Sequence, residues 1–302
     1  MITCIGEILI DLIGHESKND LTFEAHVGGA PFNVAYNLAY FDNRVNFIGR
    51  IGNDLMGQYI LKVAKKVPFN YLDIKIKNQF NTTLALVNID NDGERHFSFM
   101  RENTADYQFE FKDLDLNIIA QSKIVHIGSL MLNNQIGLDF INVIIPYLKS
   151  NNVLFSFDVN YRDDILKDKI DVLKAIILKA DIVKLSLDEI VLFSSKLTLK
   201  EKIDDIFSQN QLVFITLGSE GSKLFYQGEE YYAPSIKVDK VIDTTGAGDA
   251  FYAQVLAILD QKDYHQFKRI DFINMLSKAN QNGAKTTLIK GAIDLKLLER
   301  GR

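Results

Sequence analysis

From Ile124 onward the chain repeats one pattern, a short apolar run followed by an amphipathic one. Residues 124–127, 153–159, 182–185 and 212–217 are apolar runs of strand length. Residues 137–149, 170–180, 188–193 and 198–208 lie between or after them, with apolar side chains at helical spacing. Alternation of this kind predicts βαβ units with right-handed crossovers, hence an α/β fold built on a parallel sheet flanked by helices. Ligands of such sheets collect beyond the carboxyl ends of the strands. Polar motifs fall at those ends: Gly128-Ser129, Asp158-Val159-Asn160-Tyr161-Arg162, Ser186-Leu187-Asp188-Glu189 and Thr216-Leu217-Gly218-Ser219-Glu220-Gly221. One such motif means little, but several along one rim predict a site.

The chain has 302 residues, 47% of them apolar, enough for one large α/β domain with or without an appendage. A net charge of -5 argues against a general binder of nucleic acid or of anionic membranes. Cys4 is the only cysteine and the five histidines lack metal-ligand spacing, so neither a disulfide nor a cysteine zinc site is expected. Glu7 and Asp11 interrupt the first apolar run, which speaks against a signal peptide, and no run is long enough to span a membrane. A cytoplasmic globule is the expectation.

Before Ile124 the pattern is less regular. Residues 2–13 read as a buried strand ending near Asp11, an acid that suits either ligand contact or plain solvation. Leu21, Phe23 and Ala25 alternate with polar residues as in a half-exposed strand. Gly28-Gly29-Ala30-Pro31-Phe32-Asn33 then opens a helix. Its glycines allow close backbone approach, and Asn33 is either a ligand-binding amide or a simple cap. Residues 45–51 make another strand, and Gly52-Asn53-Asp54 opens a helix near Met56. Residues 82–100 read as a β-hairpin turning at Asp90-Asn91-Asp92-Gly93. A calcium loop is rejected there, because Asn88 replaces its first acid and Phe99 its last. Arg101 and Asp106 follow. The hairpin and the strand near Leu21 form a small β appendage.

Near the end, Val238, Val241 and Ile242 read as a strand leading into Asp243-Thr244-Thr245-Gly246-Ala247-Gly248-Asp249, and a buried helix follows. A glycine turn at a helix N-terminus aims unpaired N–H groups and a positive dipole at one point, which favours phosphate. A dinucleotide fingerprint would need glycine where Phe251 stands, and a Walker loop would need a Gly-Lys-Ser/Thr that the chain lacks. Two readings remain, a phosphoryl-transfer turn carrying Asp249 as its base and an ordinary turn capped by an acid. Residues 274–291 read as a closing helix.

The stretch 243–249 resembles the second signature of the ribokinase-like (PfkB) sugar kinases, and 28–35 resembles the first. The likeness runs in order through Gly6 to Asp11, Phe47 to Gly52, Asp158 to Arg162, Thr216 to Gly221 and Ala279-Asn280, and is greatest for fructokinases. It implies a single α/β domain over 1–302 with a β-sheet lid inserted at about 12–28 and 82–106. It further implies transfer of the ATP γ-phosphate to a sugar, most similarly to the 6-hydroxyl of D-fructose. By the same likeness Asp249 is the catalytic base, with Gly246, Ala247 and Gly248 as the anion hole. Asp11, Gly28, Gly29, Asn33, Arg101 and Arg162 would bind the sugar. Lys184, Thr216, Gly218, Ser219, Gly221 and Asn280 would bind the nucleotide. Glu189 would position Mg2+ through water, and Asp243 and Thr245 would hold a K+-like ion. A homodimer paired through the lid is also implied.

Two departures stand out. Ser186 replaces the usual Asn of the magnesium motif, and Gln254 replaces a small residue on the helix after Asp249. The helix dipole should keep Asp249 a weak base, sufficient for a loose transition state with late deprotonation. Rival readings are a kinase for 2-keto-3-deoxygluconate, with Arg101 facing the acid group, a kinase for another ketose or ribose, and a silent sugar-binding regulator.

Overall fold

The computed structural model describes residues 1–16, 20–41, 43–89 and 95–294. Its strands are β1 (Ile2–Ile5), β2 (Leu9–Glu16), β3 (Leu21–Gly28), β4 (Val45–Gly52), β5 (Tyr71–Lys77), β6 (Leu84–Ile89) and β7 (Arg95–Met100). They continue as β8 (Ile124–Gly128), β9 (Leu154–Asp158), β10 (Ile182–Ser186), β11 (Leu212–Thr216), β12 (Ser222–Tyr226) and β13 (Glu229–Ala233). One sheet of nine strands runs β13-β12-β11-β10-β9-β8-β1-β4-β5, and a second of four runs β3-β2-β6-β7. All pairs from β11 across to β5 are parallel; at the edge β12 is reversed, so the β11–β12 and β12–β13 pairs are antiparallel.

Helices cover both faces of the large sheet, so its strands are apolar on both sides. Period-two geometry divides them. On β11, Leu212 and Phe214 join one core while Val213 and Ile215 join the other. The first core packs against helices Ala30–Tyr40, Ala247–Gln261 and Arg269–Thr286, the second against Gln135–Ser150 and Ile170–Ile177. No helix among the described residues is long and apolar enough to cross a membrane.

The strands from β8 to β11 fall where the alternation places them, but three sequence expectations need correction. Residues 2–13 are not one strand. The chain leaves the large sheet after Ile5 and enters the small one at Leu9. A side chain at Gly6 (φ 154°) would lie 2.5 Å from the Pro31 ring, so glycine lets the next helix close over this break. Val238, Val241 and Ile242 form no strand. The segment is pinned to a helix end instead, with the Ile242 N–H donating to the Thr287 carbonyl (2.8 Å), and Val241 and Ile242 stay exposed. The last helix is Arg269–Thr286, beginning earlier and ending earlier than expected.

The hairpin β12–β13 was not foreseen. Its turn residues Gln227 (φ 53°) and Gly228 (φ 76°) are both left-handed, as a two-residue hairpin turn requires. β6 and β7 pair as the predicted hairpin, whereas its Asp90 to Gly93 turn lies outside the described residues.

Candidate active site

The turn 243–249 sits where the large sheet's carboxyl edge meets the helix Ala247–Gln261. Gly246, the N-cap, has φ 77°, and a side chain there would run into Ala292. The conformation therefore demands glycine. Asp243 is 3% exposed and fixes the turn. Its Oδ1 accepts from the Thr245 N–H (2.7 Å) and its Oδ2 from the Gly291 N–H (2.7 Å). The Ala247 N–H donates to the Thr244 carbonyl (3.2 Å), and the N–H groups of Gly248 and Asp249 after it have no helix carbonyl to bond, which suits them to a ligand.

Two cavities meet at this turn. The first, of about 290 Å³, is lined by Asp11, Asn33, Arg162, Lys184, Thr245, Gly246 and Asp249 among others. The second, of about 480 Å³, is lined by Thr216, Gly218, Ser219, Gly221, Ala247 and Asn280, with Val238, Val241 and Phe251 as apolar walls. Thr244 and Gly248 line both.

In the first cavity Asn33 Nδ2 donates to Asp249 Oδ2 at 2.8 Å. The helix dipole was expected to keep Asp249 weakly basic, and burial reverses this. Desolvation raises its pKa against the opposing Lys184 charge, the Asn33 hydrogen bond and the Arg162 charge. Asp249 is therefore a stronger base than its position on the helix suggests. Gly28 is required because a side chain would collide with the Asp11 carboxylate. Gly29 (φ 110°) is required because one would lie 2.5 Å from the Glu7 carbonyl.

Lys184, placed with the nucleotide by resemblance, lines the first cavity and not the second. It comes from β10, and its Nζ donates to both Asp158 oxygens at 2.9 Å. Burial alone would lower its pKa, but the carboxylates of Asp158, Glu189 and Asp249 outweigh burial and keep it charged. A side chain on Gly248 would come within 3.3 Å of that Nζ, so the ammonium stands directly behind the turn. The sequence signal was present, a lysine inside an apolar strand, but its side of the turn was not readable.

Arg101 lies outside the first cavity, in an adjoining cleft of about 990 Å³ that shares Phe99 with it. Its Nε donates to Asp106 (2.6 Å) and its Nη1 to Asn133 (2.7 Å). Asn280 Nδ2 donates to the carbonyls of Ala233 (2.9 Å) and Pro234 (3.2 Å), so it fixes the hairpin edge while lining the second cavity. The sequence reading missed Val238, Val241, Phe251, Gly283 and Ala284, which also line it. The small residues of the last helix were their only signal.

Glu189 lines neither cavity. Its oxygens accept from the N–H groups of Tyr161 and Ser186 (2.6 Å each), and Ser186 completes a capping box. Among the described residues no cluster of three or more His, Cys, Asp or Glu could hold a metal ion. A magnesium ion that arrives with phosphates takes few protein ligands.

A hydroxyl donor in one cavity and a phosphoryl donor in the other would thus face each other across Thr244 to Gly248, with a base on one side. Known proteins resemble this chain over nearly its whole length. The model of the pfkB family carbohydrate kinases matches residues 1–295. The chain is 32% identical to Probable fructokinase-6, chloroplastic, of Arabidopsis thaliana, covering 97% of this chain and 78% of that protein. Fructokinase of Xylella fastidiosa with bound ATP superposes with a TM-score of 0.85 at 26% identity, covering 96% and 93% of the two chains. Fructokinase of Vibrio cholerae O395, with fructose, ADP and calcium bound, gives 0.85 at 27% identity, covering 99% and 97%. The protein is a member of the pfkB family of carbohydrate kinases.

Proposed function

We propose that the protein transfers the γ-phosphate of ATP to the 6-hydroxyl of D-fructose. The observation that carries this reading is the shared turn, since Gly248 lines both cavities while Asp249 faces only the first. Fructose would occupy the first cavity, held by Asp11, Asn33 and Arg162, and ATP the second, along Thr216 to Gly221 and Asn280. Asp249, with its pKa raised by burial, takes the proton from the attacking hydroxyl. The N–H groups of the turn and the Lys184 ammonium stabilise charge on the moving phosphoryl group. Magnesium would neutralise phosphate charge, with Glu189, the acid of the magnesium motif, acting through water. Asp243 and Thr245 would support a monovalent cation beside the turn.

The four-stranded sheet would close over the first cavity as a lid and keep water from competing as acceptor. Its outer residues Leu21 and Phe23 are 61% and 48% exposed, which supports lid-to-lid pairing in a homodimer. Arg101 lines the adjoining cleft and not the first cavity, and its Nε is paired with Asp106, which weakens the case for an acid sugar. A silent regulator would have no use for Asp249 and Lys184 in contact with one small cavity. A cytoplasmic setting fits a chain whose single cysteine, Cys4, is buried and free.

A coupled ADP-release assay across fructose, 2-keto-3-deoxygluconate, ribose and tagatose tests this. Fructose should give the highest kcat/KM. Preference for the acid sugar would overturn the substrate, and no turnover with any sugar would overturn the activity.

A further inference from the structure

One acid of the first cavity has no part in this scheme. Glu7 lies in the break between β1 and β2, is 1% exposed, and lines the same cavity as Asp11, Asn33 and Asp249. Beyond the residue's own backbone N–H, neither of its carboxylate oxygens has a hydrogen-bond partner. The other buried acids around it are not left in this state. Asp158 holds Lys184 with both oxygens, and Asp243 holds two backbone N–H groups. Asp106 accepts from Thr83, Thr104 and Arg101. A buried carboxylate serving only the fold would be satisfied in the same way, because an unpaired one opposes folding.

Polar groups near it are also left without partners, the Arg101 Nη2 donor among them. Gly128 presses close, and a side chain there would lie 3.2 Å from Glu7 Oε2. Asn33 Oδ1, an acceptor, and Ser129 Oγ, from the residue after Gly128, are likewise buried without partners. Glu7 and Asn33 thus present unpartnered acceptor oxygens to the inner wall of the first cavity. Sugars supply the donors these lack, since every ring hydroxyl can donate one bond and accept another.

We propose that Glu7 is a sugar-binding residue, its carboxylate accepting a hydroxyl of the acceptor other than the one that receives phosphate. This rests on the sugar-kinase reading and adds to it a determinant for neutral polyols, placed on the wall fixed by the β1–β2 break. Asp249 then keeps its contact with Asn33 and remains the only acid assigned to proton removal. The charged groups that act on Glu7 are Arg101 and Asp106, from the end of the β7 hairpin, and Asp249, from the helix Ala247–Gln261. Burial dominates all three and pushes its pKa up to about 7, consistent with a carboxyl awaiting a donor.

Glu7→Gln keeps the shape and removes the charge. Calorimetric titration of fructose should show affinity falling about tenfold in the variant, the usual worth of one charge-assisted hydrogen bond. The KM for ATP should stay within about threefold, and kcat should change less than the KM for sugar. In the wild type, kcat/KM for sugar should step upward through neutral pH, and Glu7→Gln should remove that step while any due to Asp249 persists. Monodeoxy analogues should single out one hydroxyl whose loss costs the wild type affinity but costs Glu7→Ala nothing more. Equal sugar affinity in wild type and Glu7→Gln, with the same pH step, would overturn the role of Glu7. Sugar binding through Glu7 without turnover would overturn the kinase reading alone, and no sugar binding by the wild type would overturn both.

Discussion

Glu7→Gln should make the sugar-free protein more stable at alkaline pH and have little effect near pH 5. Burial raises the Glu7 pKa from 4.5 to about 7, with its own backbone N–H and the Arg101 charge opposing. The folded state therefore holds this proton more tightly than the unfolded chain does. Between those two values the folded carboxyl is protonated while the unfolded one is ionised, so stability falls as pH rises and the loss is complete above pH 7. At about 1.4 kcal/mol for each pH unit crossed, the wild type loses about 3 kcal/mol that a neutral glutamine does not. Urea unfolding of both proteins at pH 5 and pH 8 measures it. The difference between proteins, compared across the two pH values, cancels every other titrating group and the fixed cost of seating the glutamine amide. The gap should widen by about 2–3 kcal/mol in favour of the variant at pH 8. Saturating sugar should narrow it, because the ligand stabilises the wild type more. A gap that does not change with pH would mean that the Glu7 carboxyl is solvated when folded, and the inference drawn from its isolation would fail with it.

Asp249→Asn should lower kcat by roughly 10²–10⁴ while the KM for ATP stays within a few-fold, since amide and carboxylate fill the same space but only one accepts a proton. Steady-state kinetics with both substrates varied would check this, and unchanged kcat would remove Asp249 from the mechanism. Lys184→Met should cost about 3–5 kcal/mol of stability by stranding Asp158, which is fully buried. Adding Asp158→Asn should restore most of that in urea unfolding and none of kcat. Recovery of kcat in the double variant would make Lys184 purely structural. Gly248→Ala should reduce kcat more than it weakens sugar binding, because its methyl group intrudes 3.3 Å from the Lys184 ammonium and crowds the path between the cavities. A change in sugar KM alone would place the glycine's role elsewhere.

The large sheet was legible because its strands are buried on both faces and separated by helices of ordinary length. Local rules capture such units: an apolar run such as Leu212 to Ile215 has no stable alternative to a central strand. The break at Gly6 was not legible, since apolar residues continue through Ile8 to Ile10 and only contact with Pro31 shows why the chain must turn there. The supposed strand before Asp243 failed for the opposite reason. Val241 and Ile242 look like core residues, yet Asp243 and Thr287 tether that segment to a helix end. Motifs located the glycine turn, Asn33 and the Thr216 to Gly221 loop, because each needs residue types that few other turns would use. The side of the turn to which Lys184 points, the isolation of Glu7 and the raised pKa of Asp249 depend on what is packed around them. No window of sequence contains that information.

The charges in the site are distributed in a way that bears on how the catalyst works. The second cavity, the proposed nucleotide side, has mostly small, apolar and hydroxyl residues along its walls, with Lys237 as its cation. Lys184 and Arg162 stand on the acceptor side, around Asp249. Cations massed around the resting nucleotide would tighten binding of the ground state and leave the barrier unchanged. In the proposed reaction, cations beyond the turn would meet the phosphoryl group only as it moved toward the hydroxyl, so their stabilisation would grow along the reaction. Asp158 keeps Lys184 from swinging toward the nucleotide, since both carboxylate oxygens anchor the ammonium behind Gly248. The same grouping limits Asp249. Burial raises its pKa and makes it the stronger base, while Lys184, Asn33 and Arg162 each pull the pKa back down. Base strength and ionisation are opposed demands on one carboxylate, and desolvation and nearby positive charge act on them in opposite directions.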